Sequence, residues 1–243
     1  MTALAVIPAR WKSTRFPGKP LADIAGRPMI AWVWDQVKKA KLIDRAVLAT
    51  DDQRIADYCR ANAIEVVMTA ETHATGSDRI AEVAQRIEAD VYVNVQGDEP
   101  LIDPAAIDKM AQHIADVRKR GIEVVTGYLE KANDDQLDNP SVCHLVPTLD
   151  GCVMTISRYP VPFPMVETMQ RTVAVGLYGF TRAALARYAA WERGPVERAE
   201  SIELLRFLEH GEQIACTPIP PGSIGVDRPE DAERVAAIIR ARR

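Results

Sequence analysis

The sequence is poor in cysteine and aromatic residues and has no long apolar run. Its 243 residues include 4 cysteines, and aromatic residues make up 6% of the chain. The cysteines show no CxxC pair and no adjacent histidine cluster of zinc-site spacing, so we expect reduced, mostly buried thiols. No apolar run approaches the length that spans a bilayer, and the opening MTALAVIPAR lacks the features of a signal peptide. These absences predict a cytoplasmic protein without a membrane partner.

The sequence also lacks an excess of positive charge. Its formal net charge is −4, which disfavours a general nucleic-acid surface. Four cations nevertheless cluster in a loop rich in proline and glycine near the start: Arg10, Lys12, Arg15 and Lys19. The loop contains neither the GxxxxGK[ST] phosphate-binding pattern nor the GxGxxG dinucleotide pattern. A local anion is the expected reason for the cluster, and the alternative is a solvated basic loop.

Apolar runs and amphipathic segments alternate through the first half of the chain. Residues 3–7 form an apolar run that Pro8 ends, as in a strand buried on both faces. Further strands are predicted at 45–50, 65–69, 90–96 and 123–129. Helices are predicted from Pro28 onward and at 51–63, 77–89 and 103–120. The alternation predicts an α/β fold with a doubly wound, mostly parallel sheet.

The regular alternation of predicted strands and helices ends near residue 130. Segments 142–146 and 152–161 predict an antiparallel hairpin around Asp150-Gly151. The prolines of 160–165 cannot support a sheet ladder, so we expect 160–172 to form a mobile loop or a subunit contact. After these come a strand at 172–180, a helix at 182–191, a helix at 199–211, a strand at 213–219 and a helix at 229–243. We expect one domain, 1–243, with a nucleotide-binding part at 1–130. Residues 140–220 would be an elaboration of that part.

The cationic loop and two aspartates predict a site for a phosphate compound with a metal. The loop follows the first strand, where open α/β sheets bind ligands, and its arginines and lysines suit a triphosphate. Asp98 ends another strand, and Asp227 lies in a turn before the last helix. Two separated carboxylates plus phosphate oxygens are typical ligands of Mg²⁺. Glu99 is expected to be structural, and Asp51 and Asp52 to begin a helix.

Several segments carry a family resemblance. PARWKSTRFPGKPL (8–21) resembles the signature of the 3-deoxy-manno-octulosonate (Kdo) cytidylyltransferases, the CMP-Kdo synthetases of nucleotide-diphospho-sugar transferase fold. Similar segments follow in the family's order: ATDD (49–52), HATGSDRIAEV (73–83), NVQGDEPLID (94–103), NP (139–140), SR (157–158), GLYGF (176–180) and GVDRPEDAERV (225–235). The resemblance implies a homodimeric enzyme that transfers CMP from CTP to an acidic sugar with Mg²⁺ and releases pyrophosphate. It also implies that the elaboration at 140–220 binds the acceptor and contributes the dimer contact.

The resemblance also implies roles for particular residues. Arg15 and Lys19 would bind the triphosphate, Arg10 the α-phosphate region, and Asp98 and Asp227 the metal; Arg10, Arg15, Lys19 and Asp98 would be catalytic. Further CTP contacts are implied at Pro8, Ala9, Ser13, Gln96 and Gly97, and contacts to cytosine at Ala74, Ser77 and Arg79. Ser77-Asp78 could instead cap the following helix, and both roles are compatible.

The acceptor pocket departs from the family pattern. Arg158, Tyr178 and Glu203 match acceptor-binding positions, and Arg171 and Arg182 would suit a compact polyanion. Ala174 and Leu204, however, stand where the family has histidine and glutamine. Because buried sugar hydroxyls need partners, the acceptor is left open between Kdo and another acid such as phosphonoformate.

Three competing hypotheses concern the class of protein: an enzyme that uses UTP or GTP, an acylneuraminate cytidylyltransferase, and a catalytically silent nucleotide-binding module. The loop WKSTRFPGKPL fits the Kdo group better than the acylneuraminate group. Lys19, Asp98 and Asp227 weigh against a silent module.

Overall fold

The computed structural model describes residues 1–13, 15–130, 139, 141–166, 170–222 and 224–242. The strands are β1 (Ala3–Ala9), β2 (Asp23–Ile24), β3 (Arg27–Pro28), β4 (Arg45–Thr50), β5 (Val66–Met68), β6 (Val91–Val95), β7 (Val124–Leu129), β8 (Cys143–Pro147), β9 (Val153–Ser157), β10 (Thr172–Thr181) and β11 (Ala215–Pro218). The α-helices are α1 (Met29–Val37), α2 (Gln53–Ala61), α3 (Gly76–Arg86), α4 (Pro104–Val117), α5 (Arg182–Ala190), α6 (Pro195–Glu200), α7 (Leu205–Glu209) and α8 (Pro229–Ala241). Short 3₁₀ turns cover Lys19–Leu21 and Arg118–Arg120.

The main sheet has the order β11-β7-β10-β6-β1-β4-β5, and the β8–β9 hairpin attaches to β10. β1 pairs in parallel with β4 and β6, β4 with β5, and β11 with β7. β10 runs antiparallel to both of its neighbours, β6 and β7. The predicted fold class, a mostly parallel α/β sheet with an antiparallel addition, is therefore confirmed.

Side chains of β1 alternate between two hydrophobic layers. Ala5 and Ile7 pack on one face with residues of α1 and α4, and Leu4 and Val6 pack on the other with residues of α3 and α5. Successive residues of a strand point to opposite faces of the sheet. A strand that is covered on both faces therefore has a continuous apolar sequence. This packing leaves the carboxyl ends of the parallel strands open for ligands.

A third apolar cluster places the last part of the chain beside the start. Residues of α8, including Val235 and Ile239, pack with Ile24, Leu101 and Val226. The backbone N–H of Val226 donates to the carbonyl of Asp98 at 2.9 Å. Positions 98 and 227 are therefore neighbours in space.

The helix predicted at 199–211 is wrong as a single element. The chain leaves α6 at Ser201, whose φ of 52° lies in the left-handed region, and becomes helical again only at Leu205. The hairpin predicted around Asp150-Gly151 is present, with Gly151 at a φ of 81°. Arg243, the end of the last predicted helix, lies outside the described residues.

The four cysteines are free, as the sequence predicts. Burial raises the pKa of the Cys59 thiol to about 11 and that of Cys216 to about 12, so both are inert near neutral pH. Among the described helices, none has the length and apolar character to cross a bilayer.

Candidate active site

The cationic loop folds against itself directly after β1. The N–H of Gly18 donates to the carbonyl of Trp11 at 3.1 Å, and Gly18 has a φ of 70° with the indole of Trp11 packed where a Cβ would lie. The guanidinium of Arg54 stacks on the loop as well, 3.5 Å from the Trp11 ring centre. This closure fixes Lys19 at the start of the following 3₁₀ turn.

Lys19 lies between the two predicted metal ligands. Its Nζ is 2.7 Å from Oδ2 of Asp98 and 3.3 Å from Oδ1 of Asp227. Arg15 donates to the same oxygen of Asp227 at 3.1 Å and to Oγ of Ser141 at 3.1 Å. The structure thus brings together two aspartates that are 129 positions apart (227 − 98) with two of the predicted triphosphate-binding cations.

The donor set at this point fits a divalent cation. Two carboxylate oxygens already converge on one positive centre, the Lys19 ammonium. Carboxylate oxygens are hard ligands, and Mg²⁺ usually takes one or two of them and completes its shell with water and phosphate oxygens. Within the described residues there is no cluster of three or more histidine, cysteine, aspartate or glutamate side chains suited to a metal. A site here would therefore depend on the substrate for its remaining ligands.

The segment predicted to bind cytosine forms the N-terminus of α3. The N-cap is Thr75, which shares a capping box with Asp78; the cap predicted at Ser77-Asp78 is therefore correct for Asp78 and wrong for Ser77. The buried guanidinium of Arg79 donates to Asp51 at 3.1 Å, to Thr69 and to a backbone carbonyl. Arg79 thus braces the turn that precedes α3.

Asp51 and Asp52, the adjacent aspartates of the ATDD segment, have different structural roles. The side chain of Asp52 caps α2 by accepting from the N–H of Arg54 at 3.0 Å, as expected of a residue that begins a helix. Asp51 precedes the cap and pairs with Arg79. Neither carboxylate lines the cavities described next.

Two adjoining cavities occupy this edge of the sheet. One, of about 560 Å³, is lined by every predicted CTP-binding residue except Ser77: Pro8, Ala9, Arg10, Ser13, Arg15, Lys19, Ala74, Arg79, Gln96 and Gly97. The other, of about 930 Å³, lies beside it. Both are lined by Gln96, Asp98, Cys143, Tyr178, Ile202 and Asp227. A molecule in one cavity can therefore reach a molecule in the other near Asp98. The cavity of about 560 Å³ is called the nucleotide cavity after the predicted CTP contacts that line it, and the cavity of about 930 Å³ is called the acceptor cavity after Ala174 and Leu204, the two departures from the family pattern.

Glu203 links the N-terminus of α3 to the segment between α6 and α7. Its Oε2 accepts the backbone N–H of Ser77 at 2.8 Å. Burial raises the pKa of the Glu203 carboxyl above its ordinary value of 4.5, even though the hydrogen bonds from Ser77 lower it. Burial and the nearby Glu203 carboxylate also raise the pKa of the Tyr178 hydroxyl well above 10. Tyr178 therefore stays protonated and can act as a donor.

Arg158 is fastened to the end of α6. Its Nε donates to the carbonyl of Glu200 at 2.5 Å and a terminal nitrogen donates to the carbonyl of Ser201 at 3.2 Å. Arg158, Tyr178 and Glu203 all line the nucleotide cavity, so the structure brings these three predicted acceptor residues together.

Ala174 and Leu204, the two departures from the family pattern, line the acceptor cavity. They belong to an apolar wall that also contains Ile156, Val173 and Ile202. This wall offers no side-chain hydrogen bond to a ligand.

The structure does not bring Arg182 or Arg171 into either cavity. β10 is antiparallel to β6, so Arg182, which follows β10, lies at the opposite edge of the sheet, near the start of β6. There it pairs with Glu88 at 3.2 Å, and the prediction that it contacts an acceptor is wrong. Arg171 precedes β10 on the correct edge but lines neither cavity. Thr14 and Pro140, which belong to segments of the resemblance, lie outside the described residues.

Two residues absent from the sequence-based site also line the nucleotide cavity, His73 and Arg193. His73 contacts the carboxylate of Glu82 through Nε2. Arg193 lies between two helices in a stretch with Gly194 and Pro195, and such turn chemistry carries no signal for a binding role.

Comparisons with known proteins agree with this geometry. A family model described as cytidylyltransferase matches residues 4–214. A protein of Myxococcus xanthus named 3-deoxy-manno-octulosonate cytidylyltransferase is 43% identical over 242 residues, covering 98% of this chain and 97% of the relative. A protein of the same name from Geobacter sulfurreducens is 41% identical over 247 residues, covering 97% and 98%.

Solved structures give the same result. A CMP:2-keto-3-deoxy-manno-octonic acid synthetase complexed with CTP superposes with a TM-score of 0.93 at 33% identity and covers 100% of both chains. An inositol-1-phosphate CTP transferase from T. maritima superposes with a TM-score of 0.69 at 11% identity, covering 98% of this chain and 96% of the other. The second match shows the fold alone.

Proposed function

The chain belongs to the 3-deoxy-manno-octulosonate cytidylyltransferase family, and on that premise we propose that it transfers CMP from CTP to a Kdo-type sugar acid with release of pyrophosphate. The observation that carries the proposal is the position of Lys19 between Asp98 and Asp227, where the nucleotide and acceptor cavities meet. Cations for a triphosphate, carboxylates for a metal and space for a second substrate are all present at this point.

In the proposed reaction an acceptor oxygen attacks the α-phosphorus of CTP, the bond from that phosphorus to the bridging oxygen breaks, and pyrophosphate leaves. The protein supplies no nucleophile. Its residues position the reactants and balance charge, as is usual in phosphoryl transfer. Arg15 and Lys19 face the leaving pyrophosphate, and Arg10 faces the α-phosphate. Preorganised cations stabilise the charge that develops there.

Asp98 and Asp227 would hold a Mg²⁺ ion together with phosphate oxygens. When bound, the ion supplies further charge neutralisation and lowers the pKa of the attacking hydroxyl. Without substrate, Lys19 balances both carboxylates, so the arriving phosphates compete for a cation that is already in place.

A second candidate acceptor is a small acid with fewer hydroxyl groups, such as phosphonoformate. The apolar wall at Ala174 and Leu204 favours it, because a sugar hydroxyl against this wall would lose its partners at a cost of about 1–3 kcal/mol. The family membership favours the sugar acid. The transfer of CMP is common to both.

The proposal includes a homodimer. Exposed apolar side chains follow β9, namely Tyr159, Phe163, Met165 and Val166, and solvent-exposed apolar groups of this density are typical of interfaces. Sedimentation analysis of the full chain and of a Phe163→Ser variant tests this part. A monomeric wild-type protein at micromolar concentration would contradict it.

The experiment that tests the activity is an assay with Mg²⁺, each of the four ribonucleoside triphosphates and a panel of acids. The CMP ester is detected by mass and pyrophosphate by a coupled assay. We expect turnover with CTP and Kdo. Turnover with UTP or GTP but not CTP would overturn the base assignment, and a product with phosphonoformate but not Kdo would select the second acceptor.

A further inference from the structure

Arg193 lines the nucleotide cavity with a guanidinium that uses only part of its hydrogen-bonding capacity. Its side chain is 35% exposed, and its Nε donates to Oε1 of Glu197 at 3.1 Å. Among the described residues its two terminal nitrogens have no partner, so four N–H donors remain available. A cation that lines a substrate cavity with free donors is suited to bind an anion.

Buried groups fix the position of this guanidinium. Glu197 is fully buried and accepts two hydrogen bonds from Arg206, at 2.7 and 2.8 Å. Arg206 in turn donates to Asp78 at 3.0 Å. The carboxylate of Glu209 accepts the backbone N–H groups of Val196 and Glu197 at 2.8 and 2.9 Å. Arg193 is therefore held on a rigid support, which lowers the entropic cost of binding.

The support connects Arg193 to the acceptor residues rather than to the cationic loop. Arg158 binds the carbonyls of Glu200 and Ser201 at the end of α6, and Arg193 is held by Glu197 of the same helix. The cations expected to bind phosphate lie in a different element, the loop after β1. Arg158 and Arg193 thus both line the nucleotide cavity, and both are held by the same helix and its C-terminal end.

We propose that Arg193 is a second anion-binding residue for the acceptor, which the enzyme holds through anionic oxygens contacted by Arg158 and by Arg193. This inference rests on the proposed transfer of CMP to an acid. It narrows the acceptor class to compact acids that can offer anionic oxygens to both arginines. It also places those oxygens in the nucleotide cavity, while the apolar wall at Ala174 and Leu204 belongs to the adjoining acceptor cavity.

The test compares Arg193→Met, Arg193→Lys and the matched control Arg182→Met. Arg182 is an exposed arginine at the opposite edge of the sheet that lines neither cavity. With Kdo as the probe, Arg193→Met should raise the acceptor KM about ten- to a hundredfold, the range for a lost hydrogen bond to a charged group. The kcat should change much less, Arg193→Lys should recover part of the loss, and Arg182→Met should resemble the wild type.

A second arm distinguishes the two sources of the anion. The Kd of CTP alone, measured by calorimetry, should be the same for the wild type and Arg193→Met. If CTP binding weakens as much as acceptor binding, Arg193 binds a nucleotide phosphate and the proposal is overturned. An acceptor KM of Arg193→Met equal to that of Arg182→Met overturns it as well.

Failure of the proposed function gives a different result. If the wild type forms no CMP ester with Kdo or phosphonoformate, the function fails. The role of Arg193 is then decided by titrating both acids into the CTP-loaded protein. Weaker binding of either acid by Arg193→Met than by the wild type supports the inference, and the absence of any difference overturns it.

Discussion

The ammonium of Lys19 and the carboxylate of Asp98 form an ion pair at 2.7 Å, and the same ammonium reaches Asp227 at 3.3 Å. The Lys19 side chain is 14% exposed, so solvent screens these contacts less than those of a surface pair. One lysine thereby balances two carboxylates from distant parts of the chain. The residue that would bind the triphosphate also organises the predicted metal site.

Replacing Lys19 by Met should lower kcat/KM with CTP by at least about a hundredfold, because the cation proposed to face the leaving group is lost. The substitution also leaves Asp98 and Asp227 without their common partner. Steady-state kinetics measures the effect. Lys12→Met is the matched control, since Lys12 is in the same loop but is 87% exposed and reaches only Glu71, at 3.6 Å, among the described residues. Equal losses in the two variants would contradict the role of Lys19.

Replacing Asp98 by Asn should raise the Mg²⁺ concentration needed for half-maximal turnover and lower the turnover at saturating Mg²⁺. The physical reason is the loss of one of two carboxylate ligands. A Mg²⁺ titration of activity measures both quantities. The neighbouring Glu99→Gln variant should keep the wild-type Mg²⁺ dependence, because Glu99 is expected to be structural. A shifted Mg²⁺ requirement in Glu99→Gln alone would reverse the assignment.

Gly97 is required because two backbone segments approach closely at the site. A Cβ at position 97 would lie 2.7 Å from the carbonyl oxygen of Pro8, where the cationic loop leaves β1. Gly97→Ala must displace this backbone and should weaken CTP binding at least about tenfold, measured by calorimetry. Gly225→Ala is the control, since a Cβ there meets no described atom within 4 Å. Unchanged CTP affinity in Gly97→Ala would show that the loop adapts.

Sequence patterns are sufficient to predict the parallel core of the sheet and the centre of the site. In a chain that alternates strands and helices, the apolar runs at β1 and β6 are interpreted as parallel strands of one sheet. The residues that follow parallel strands lie at the same edge of that sheet. Strand direction alone therefore predicts that the cationic loop and Asp98 share one edge of the sheet. The contact between Lys19 and Asp98 depends in addition on the closure of the loop between Trp11 and Gly18, which strand direction does not predict.

The predictions fail where distant contacts override local pattern. Residues 199–211 have helical periodicity, but Ser201 adopts a positive φ and Glu203 binds Ser77, 126 positions away. The prediction for Arg182 is wrong because β10 runs from the sheet edge that carries the cavities to the opposite edge, where Arg182 follows it. Ten residues of strand span about 33 Å, so the end of β10 lies far from the cavity that its middle lines.

The titration of Glu203 should lower the free energy of unfolding as the pH rises. Burial raises the pKa of this carboxyl in the folded state above its ordinary value of 4.5, so the folded form holds the proton more tightly than the unfolded form. The stabilising contribution is complete below pH 4.5 and is lost as the pH rises through the folded-state pKa. Glu203→Gln does not titrate and should therefore lose less stability between pH 4.5 and neutral pH.

Urea unfolding of the wild type and Glu203→Gln at both pH values measures this difference as a change in midpoint. Activity should move in the opposite direction, because Glu203 lines the nucleotide cavity and is a proposed acceptor contact. A variant that gains stability at neutral pH while losing turnover is the expected combination. A wild-type midpoint that rises more with pH than that of the variant would contradict the sign.

Arg206 should be the most costly arginine to remove. It is 3% exposed, forms two hydrogen bonds with the fully buried Glu197 and lies over the ring of Tyr188 at 3.8 Å. Arg206→Met would leave the Glu197 carboxylate buried with Arg193 as its remaining cationic partner among the described residues. Breaking a buried pair from one side typically costs about 3–5 kcal/mol, which urea unfolding can measure.

The double variant Arg206→Met, Glu197→Met removes both partners of the buried ion pair. Comparing it with Arg206→Met separates the cost of leaving the Glu197 carboxylate buried without Arg206 from the cost of losing the ion pair. Replacing both partners of a buried pair by apolar groups is often close to neutral, so the double variant should regain much of the stability lost in Arg206→Met. It also removes the carboxylate that positions Arg193. Stability should therefore return while the acceptor KM stays raised, and a full return of both would show that α6 needs no buried charge to present Arg193.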